Sequence, residues 1–176
     1  MHYIRTELSK INIDILAKIY ETLEGIHIPT SFRTNLNSGN YHAIKIGTVA
    51  QKNARQAVFG QTKYRGDLQS TRASNRYPHI MKLFKEFIDS HKPGFEFKSV
   101  YVNRNTIAKK HLDSKNSGTS LLVGLGSYTG GETVLYDKDT SEKFNINTHS
   151  LVFDGSKIEH SSEPFTGTRY SLVFFN

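Results

Sequence analysis

The second half of the chain is a succession of short β-rich segments, and this pattern narrows the fold more than any other feature of the sequence. Apolar and β-branched stretches occur at 95–102, 119–125, 132–136, 143–146, 150–153 and 169–175, with Gly, Asn, Asp and Ser between them. Short strands at such spacing predict an all-β sandwich or barrel. Two amphipathic helices are predicted ahead of them. Leu8, Ile11, Ile15, Leu16, Ile19, Tyr20 and Leu23 recur at helical spacing over 7–24, and Gly25 and Pro29 end the pattern. Pro78 opens a second helix over 78–91, with Ile80, Leu83, Phe84, Phe87 and Ile88 on one face and a stop at Lys92-Pro93-Gly94. The expected fold class is therefore α+β, mainly β: a double-stranded β-helix (jelly roll) core with N-terminal flanking helices. A length of 176 residues suits a single domain. Residues 1–94 are expected to form its helical and basic-loop part, and 95–176 its jelly-roll catalytic core. Residues 33–76 are poor in large apolar side chains and predict an irregular, extended segment with one strand near 41–49.

Charge is unevenly distributed. Residues 1–110 hold 18 Lys/Arg against 8 Asp/Glu, whereas 111–176 hold 5 against 8. Between Lys45 and Lys85 there are nine basic residues and one acid, Asp67. Such a local excess attracts a polyanion, although a solvated basic surface without a partner has the same composition. Cysteine is absent, which excludes disulfides and thiolate catalysis. The first residues lack the apolar run of a signal peptide, and no stretch approaches the ~20 apolar residues of a membrane span. The expectation is a soluble intracellular protein, in cytoplasm or nucleus, without a membrane partner.

Three features of the second half carry chemistry. His111-Leu112-Asp113 alternates as a strand does, so the imidazole and the carboxylate share a face and can share a metal. A later histidine completes a facial triad of two histidines and one carboxylate, the donor set of non-haem iron(II) with open positions. His160 is the preferred third ligand and His149 its competitor. Nine residues beyond His160, Arg169 and Ser171 lie two apart at the start of the last apolar stretch, a spacing that suits a bidentate grip on a carboxylate. Taken singly, each is a common surface or structural residue; it is the combination, in this order, that is specific.

The stretch from Val102 to Phe175 resembles the core of iron(II)- and 2-oxoglutarate-dependent oxygenases. More narrowly, it resembles the TET and J-binding-protein family of DNA-base oxygenases in their compact microbial or viral form. Matching positions are Asn103, Asn105, His111, Asp113, Asn116, Gly118, Ser120, Leu125, Gly126, Gly130, Gly131, Glu132, His160, Pro164, Gly167, Arg169 and Ser171. The cysteine-rich zinc-binding additions of animal members are missing. The resemblance implies iron(II) on His111, Asp113 and His160. It implies 2-oxoglutarate on Arg169 and Ser171, with Asn103 or Asn105 assisting or else bonding a turn. It also implies dioxygen as co-substrate and the 5-methyl group of thymine or 5-methylcytosine in DNA as target. Asn116 and Ser120 are placed on the substrate side, where Asn116 can equally order the loop after the ligands. Gly130-Gly131 allows close backbone approach beside the site or a simple hairpin turn. Lys52, Arg55, Lys63, Arg65, Arg72 and Arg76 are candidates for phosphate contact, with Lys63, Arg65 and Arg72 foremost. Phe59, Tyr64 and Tyr77, interleaved with them, can stack on bases or pack in the core. Two other readings stand beside this one: the same chemistry on a protein side chain or small metabolite, and a non-catalytic metal-binding jelly roll. The second gives no reason for Arg169.

Overall fold

Ser9 caps the first helix, its side chain accepting from the Asn12 amide while Asn12 reaches back to the Ser9 amide. This helix, α1, spans Lys10–Glu24 and follows a short strand, β1 (Tyr3–Glu7). The computed structural model describes residues 1–29, 54–64, 67–114 and 116–176. Continuing along the chain, β2 is Arg55–Tyr64, β3 Asp67–Ser70, α2 Arg72–Arg76, α3 Pro78–His91 and β4 Ser99–Arg104. Then come β5 (Ser120–Gly130), β6 (Thr133–Asp137), β7 (Thr140–Phe144), β8 (His149–Phe153), β9 (His160–Ser162) and β10 (Phe165–Phe175).

The strands form two antiparallel sheets. The larger has the order β1-β8-β5-β10-β4-β2-β3 and the smaller β7-β6-β9. An isolated bridge between His111 and His160 extends the smaller sheet by one position. The fold is the expected jelly roll, mainly β, with helices on one flank. Alternation along three central strands divides the larger sheet into two faces. Val100 and Val102 of β4, Leu121, Val123 and Leu125 of β5, and Tyr170, Leu172 and Phe174 of β10 are buried in one cluster with Ile15, Ile19 and Leu23 of α1 and Ile80, Phe84 and Phe87 of α3. The intervening residues Tyr101, Asn103, Leu122, Arg169, Ser171 and Val173 turn the other way and line a cleft between the sheets. Behind the cleft, Leu122, Leu135, Phe144, Ile146, Leu151 and Phe153 make a second, smaller apolar cluster.

The two helices are joined at one end by a polar network. Asn12 donates to the Ser90 hydroxyl, and the His91 ring lies 2.8 Å from the Asn12 carbonyl oxygen and 2.6 Å from the Ser150 hydroxyl of β8. Burial, followed by nearby Lys92, lowers the His91 pKa. The neutral ring is thus favoured in the fold.

The sequence expectation differs from the structure in the first half. The described part of 33–76 is not irregular: it contains β2, β3 and α2, and β2 pairs with β4 from Arg55↔Arg104 to Gly60↔Ser99. Among the residues of β2 whose side chains are described, Ala57 and Phe59 enter the helix-side core, too few apolar residues to stand out as a strand pattern. Gly60, at φ +99°, lets the strand pass against the Lys98 backbone, where a Cβ would collide with the carbonyl. Phe59 is core, and Tyr77 packs against it partly buried. The strand expected near 41–49 lies outside the described residues. Among those residues, no helix is long and apolar enough to cross a membrane.

Phe84 is fully buried and packs edge-to-face on Phe59 of β2 and Phe174 of β10, at 5.6 and 5.9 Å. Phe84→Ala is expected to cost about 3–5 kcal/mol in urea unfolding. A loss below about 1 kcal/mol would show that α3 is not keyed to the sheet in this way.

Candidate metal and carboxylate site

The bridge between His111 and His160 places two imidazoles side by side. Each residue's amide donates to the other's carbonyl at 3.0 Å, and the ring centroids are 4.3 Å apart. Asp113 is brought in by its own amide, which donates to the Gly155 carbonyl at 2.8 Å. Leu112 between them is exposed, so the alternation expected of the tripeptide holds although only His111 makes a strand bridge. The Asp113 carboxylate lies 3.3 Å from His111 Nε2 through Oδ1 and 3.1 Å from His160 Nε2 through Oδ2. One donor atom from each of the three falls within 4.8 Å of the others. His149, the competing ligand, stands apart in β8 opposite Glu7 of β1.

Backbone carbonyls fix which nitrogen of each ring faces this point. His111 Nδ1 lies 2.5 Å from the Lys109 carbonyl oxygen, and His160 Nδ1 lies 2.8 Å from that of Ile158. A carbonyl only accepts, so both Nδ1 atoms carry the proton and donate. In neutral rings each Nε2 then presents a lone pair toward a carboxylate, an arrangement that asks for a shared cation. Two imidazole lone pairs and a carboxylate suit a divalent transition metal. Burial pushes the Asp113 pKa up. Where the rings are protonated instead, hydrogen bonding from the His111 and His160 Nε2–H groups overcomes this and holds the carboxyl well below the usual carboxylate range. Gly155 keeps the surroundings open, since a Cβ there would sit 3.1 Å from Asp113 Oδ2 and 3.2 Å from the His160 ring.

Across the same cleft, Arg169 is 3 % exposed. Its Nε and Nη2 both donate to the Gly131 carbonyl, at 3.2 and 2.9 Å, and its guanidinium lies 5.5 Å from the Tyr128 ring centroid. Among the described residues it forms no salt bridge to a carboxylate within 4.0 Å. Burial lowers its pKa, and neighbouring Tyr128 and Glu132 work in the opposite direction. A buried cation without a salt-bridged carboxylate is costly until it meets an anion. The Tyr128 hydroxyl beside it is also buried without a hydrogen-bond partner. Gly131, at φ +68°, is required by this packing, because a Cβ would lie 2.8 Å from Arg169 Cδ. The close-approach reading of the glycine pair therefore holds.

The remaining sequence candidates separate. Asn103 and Ser171 face each other across β4 and β10 and both line the cleft, with Asn103 Nδ2 donating to Ser171 Oγ at 3.3 Å. Asn105 does not line it. Its side-chain oxygen accepts from the Arg169 amide at 2.9 Å and its own amide donates to the Arg169 carbonyl, so it positions the backbone of Arg169. Asn116 lines the cleft and its amide closes a turn onto the Asp113 carbonyl. Ser120, assigned to the substrate side, is buried in β5 opposite Phe153, outside the cleft lining. Arg72 is exposed at the start of α2, Lys63 belongs to β2, and Arg65 lies outside the described residues. Sequence reasoning missed Gly155, Tyr128 and Gln56. The Gln56 side chain donates to Asn103 Oδ1 at 2.7 Å.

No family model and no curated protein matches this sequence. Solved structures do. A prolyl hydroxylase from Trichoplax adhaerens, in complex with a hypoxia inducible factor peptide fragment, superposes with a TM-score of 0.62 at 13 % identity, over 98 % of this chain and 82 % of that one. NgTET1 in complex with 5-methylcytosine DNA gives 0.58 at 15 % identity, over 98 % and 70 %. A full-length Neurospora crassa protein, in complex with alpha-ketoglutarate, gives 0.58 at 13 % identity, over 98 % and 74 %. The chain shares the fold of these three proteins.

The triad is expected to bind one divalent ion. Titration of Mn(II) or Co(II) into the wild-type protein should give one site per chain, and Asp113→Ala should weaken it by at least about tenfold. Unchanged stoichiometry and affinity in that variant would place the ion elsewhere.

Proposed function

We propose that this chain is an iron(II)- and 2-oxoglutarate-dependent dioxygenase that oxidises the 5-methyl group of a pyrimidine, 5-methylcytosine or thymine, in DNA. The observation that carries the oxygenase reading is a single cleft walled by two complementary demands. His111, Asp113 and His160 offer a metal three donors, and buried Arg169 lacks the anion that its burial calls for. 2-Oxoglutarate meets both, because one end can chelate iron while the other ends in a carboxylate. Iron(II) with this co-substrate supplies dioxygen activation and C–H hydroxylation, with release of succinate and carbon dioxide.

The protein's own groups then have defined tasks. His111, Asp113 and His160 would hold the metal, a three-donor set that would leave positions for further ligands. Arg169 forks onto the distal carboxylate of 2-oxoglutarate, with Ser171 and Asn103 beside it. Asn105 and the Gly131 carbonyl fix the guanidinium's approach. Leu122 and Val173 give the cleft an apolar wall that limits water.

Support for DNA comes from charge and from one fold neighbour. Lys109 and Lys110 are exposed immediately before His111, and Arg72 and Arg76 are exposed on α2. The nine-to-one excess of basic over acidic residues between Lys45 and Lys85 adds to them. NgTET1, with its 5-methylcytosine DNA, shares the fold. A duplex base would be flipped to reach the metal. The highest TM-score given above belongs to a prolyl hydroxylase holding a peptide, so a protein side chain is the second reading.

Nucleoside mass spectrometry decides between them. Methylated and unmethylated DNA incubated with protein, iron(II), ascorbate and 2-oxoglutarate should yield oxidised 5-methylpyrimidine. Peptide oxidation with unchanged DNA would favour the second reading. Arg169→Lys keeps the charge but loses the fork, and should raise the KM for 2-oxoglutarate at least about tenfold while metal affinity stays near wild type. Replacing Lys63, Arg65 and Arg72 together by Ala should weaken DNA binding and flatten its log–log salt slope by about one unit per lost phosphate contact. Uncoupled 2-oxoglutarate turnover should persist in that variant. A salt slope identical to wild type would remove these residues from the DNA interface.

A further inference from the structure

We infer that Gln56 is a positioning residue for the co-substrate: it sets the polarity of a hydrogen-bond chain that leaves the Ser171 hydroxyl as a donor into the cleft. The inference rests on the 2-oxoglutarate reading above and concerns a residue of the N-terminal half, outside the motifs that carry that reading. Gln56, Asn103 and Ser171 lie side by side on adjacent strands, as the registers Gln56↔Asn103 and Ser171↔Asn103 require. All three are buried, at 9, 6 and 6 % exposure. Gln56 Nε2 donates to Asn103 Oδ1 at 2.7 Å, and Asn103 Nδ2 donates to Ser171 Oγ at 3.3 Å.

A primary amide has its acceptor and its donor at opposite corners. Once Gln56 occupies the Asn103 oxygen, the Asn103 NH2 must face Ser171. Ser171 Oγ is then an acceptor from Asn103, and its own proton is free for a third group. The cleft that Ser171 lines also holds Arg169, two residues away on the same face of β10 and built to meet an anion. A hydroxyl donating beside a guanidinium suits a carboxylate. With the opposite polarity, Ser171 would spend its proton on Asn103 and turn lone pairs toward the anion. Gln56 therefore acts at a distance, through one amide, on the co-substrate's distal carboxylate.

The test is calorimetric titration of 2-oxoglutarate into Mn(II)-loaded full-length protein. Gln56→Glu has nearly the same shape but only accepts when ionised. It should flip the Asn103 amide, consume the Ser171 proton and raise the Kd for 2-oxoglutarate about tenfold. Gln56→Met removes the donor without adding charge. It should weaken binding in the same direction but less, and it serves as the probe if the glutamate variant does not fold. Mn(II) affinity should stay within about twofold in both. The decisive readout is the double variant. In a Ser171→Ala background the Gln56 substitutions should have no further effect on Kd, because the chain ends at the missing hydroxyl. A Kd unchanged in both single variants would overturn the inference, and so would additive losses in the double variant. A wild-type protein that binds Mn(II) but no 2-oxoglutarate would overturn the parent reading, and this inference with it.

Discussion

Alternation along β10 is the constraint on which the rest of this structure depends. One strand buries Tyr170, Leu172 and Phe174 against the helices and, in the residues between, directs Arg169, Ser171 and Val173 into the cleft. A shift of one residue in its register would exchange the two sets, driving a guanidinium into the aromatic core and phenylalanine into the polar cleft. Packing of the helices thus fixes the register of the chemistry. Phe84 and Phe87 each lie 5.9 Å from Phe174, and Tyr170 reaches the Glu24 carboxylate of α1 at 3.1 Å. The helical flank is part of how Arg169 is aimed, although it touches nothing in the cleft.

Burial of polar groups sets the second constraint. Asn103, Asn105, Arg169 and Ser171 lie in a small volume where each unpaired donor or acceptor carries a cost. Backbone and side-chain partners answer most of these, and among the described residues the guanidinium is left without a salt bridge to a carboxylate. One wall of this pocket carries the Arg169 guanidinium and the other the three metal donors. A molecule with a chelating end and a distal carboxylate fits between the two walls in one orientation only.

Much of this was legible in the sequence, but unevenly. Helix α3 matches its prediction at both ends because Pro78 and the Lys92-Pro93-Gly94 break are unambiguous punctuation. The grouping of His111, Asp113 and His160 follows from spacing and strand alternation. Strand β9 did not stand out, since His160–Ser162 is three residues long and has no apolar alternation of its own. Strand β1 shows only Tyr3 and Thr6 half-buried at the edge of the sheet, too weak a period to read. Gln56 and Asn105 were invisible in these roles for a different reason. Their roles depend on which strand lies next to them, and cross-strand register is a property of the fold rather than of any local window. Gly155 and Tyr128 are of the same kind, one valued for a missing side chain beside Asp113 and the other for a hydroxyl buried beside Arg169.

Main-chain carbonyls hold the imidazole tautomers of this site. Lys109 and Ile158 contribute only carbonyl oxygens, each two residues before the histidine it orients. Any amino acid supplies that oxygen, so aiming the donor nitrogens places no demand on the side chains at 109 and 158, although Ile158 also packs on the smaller apolar cluster. A site oriented by side chains would tie several distant positions together over evolutionary time. Here the orienting groups are carried within the same short segments as the ligands, and the centre is built from two compact pieces, 109–113 and 155–160, that meet across the His111–His160 pair of hydrogen bonds and the one from Asp113 to Gly155.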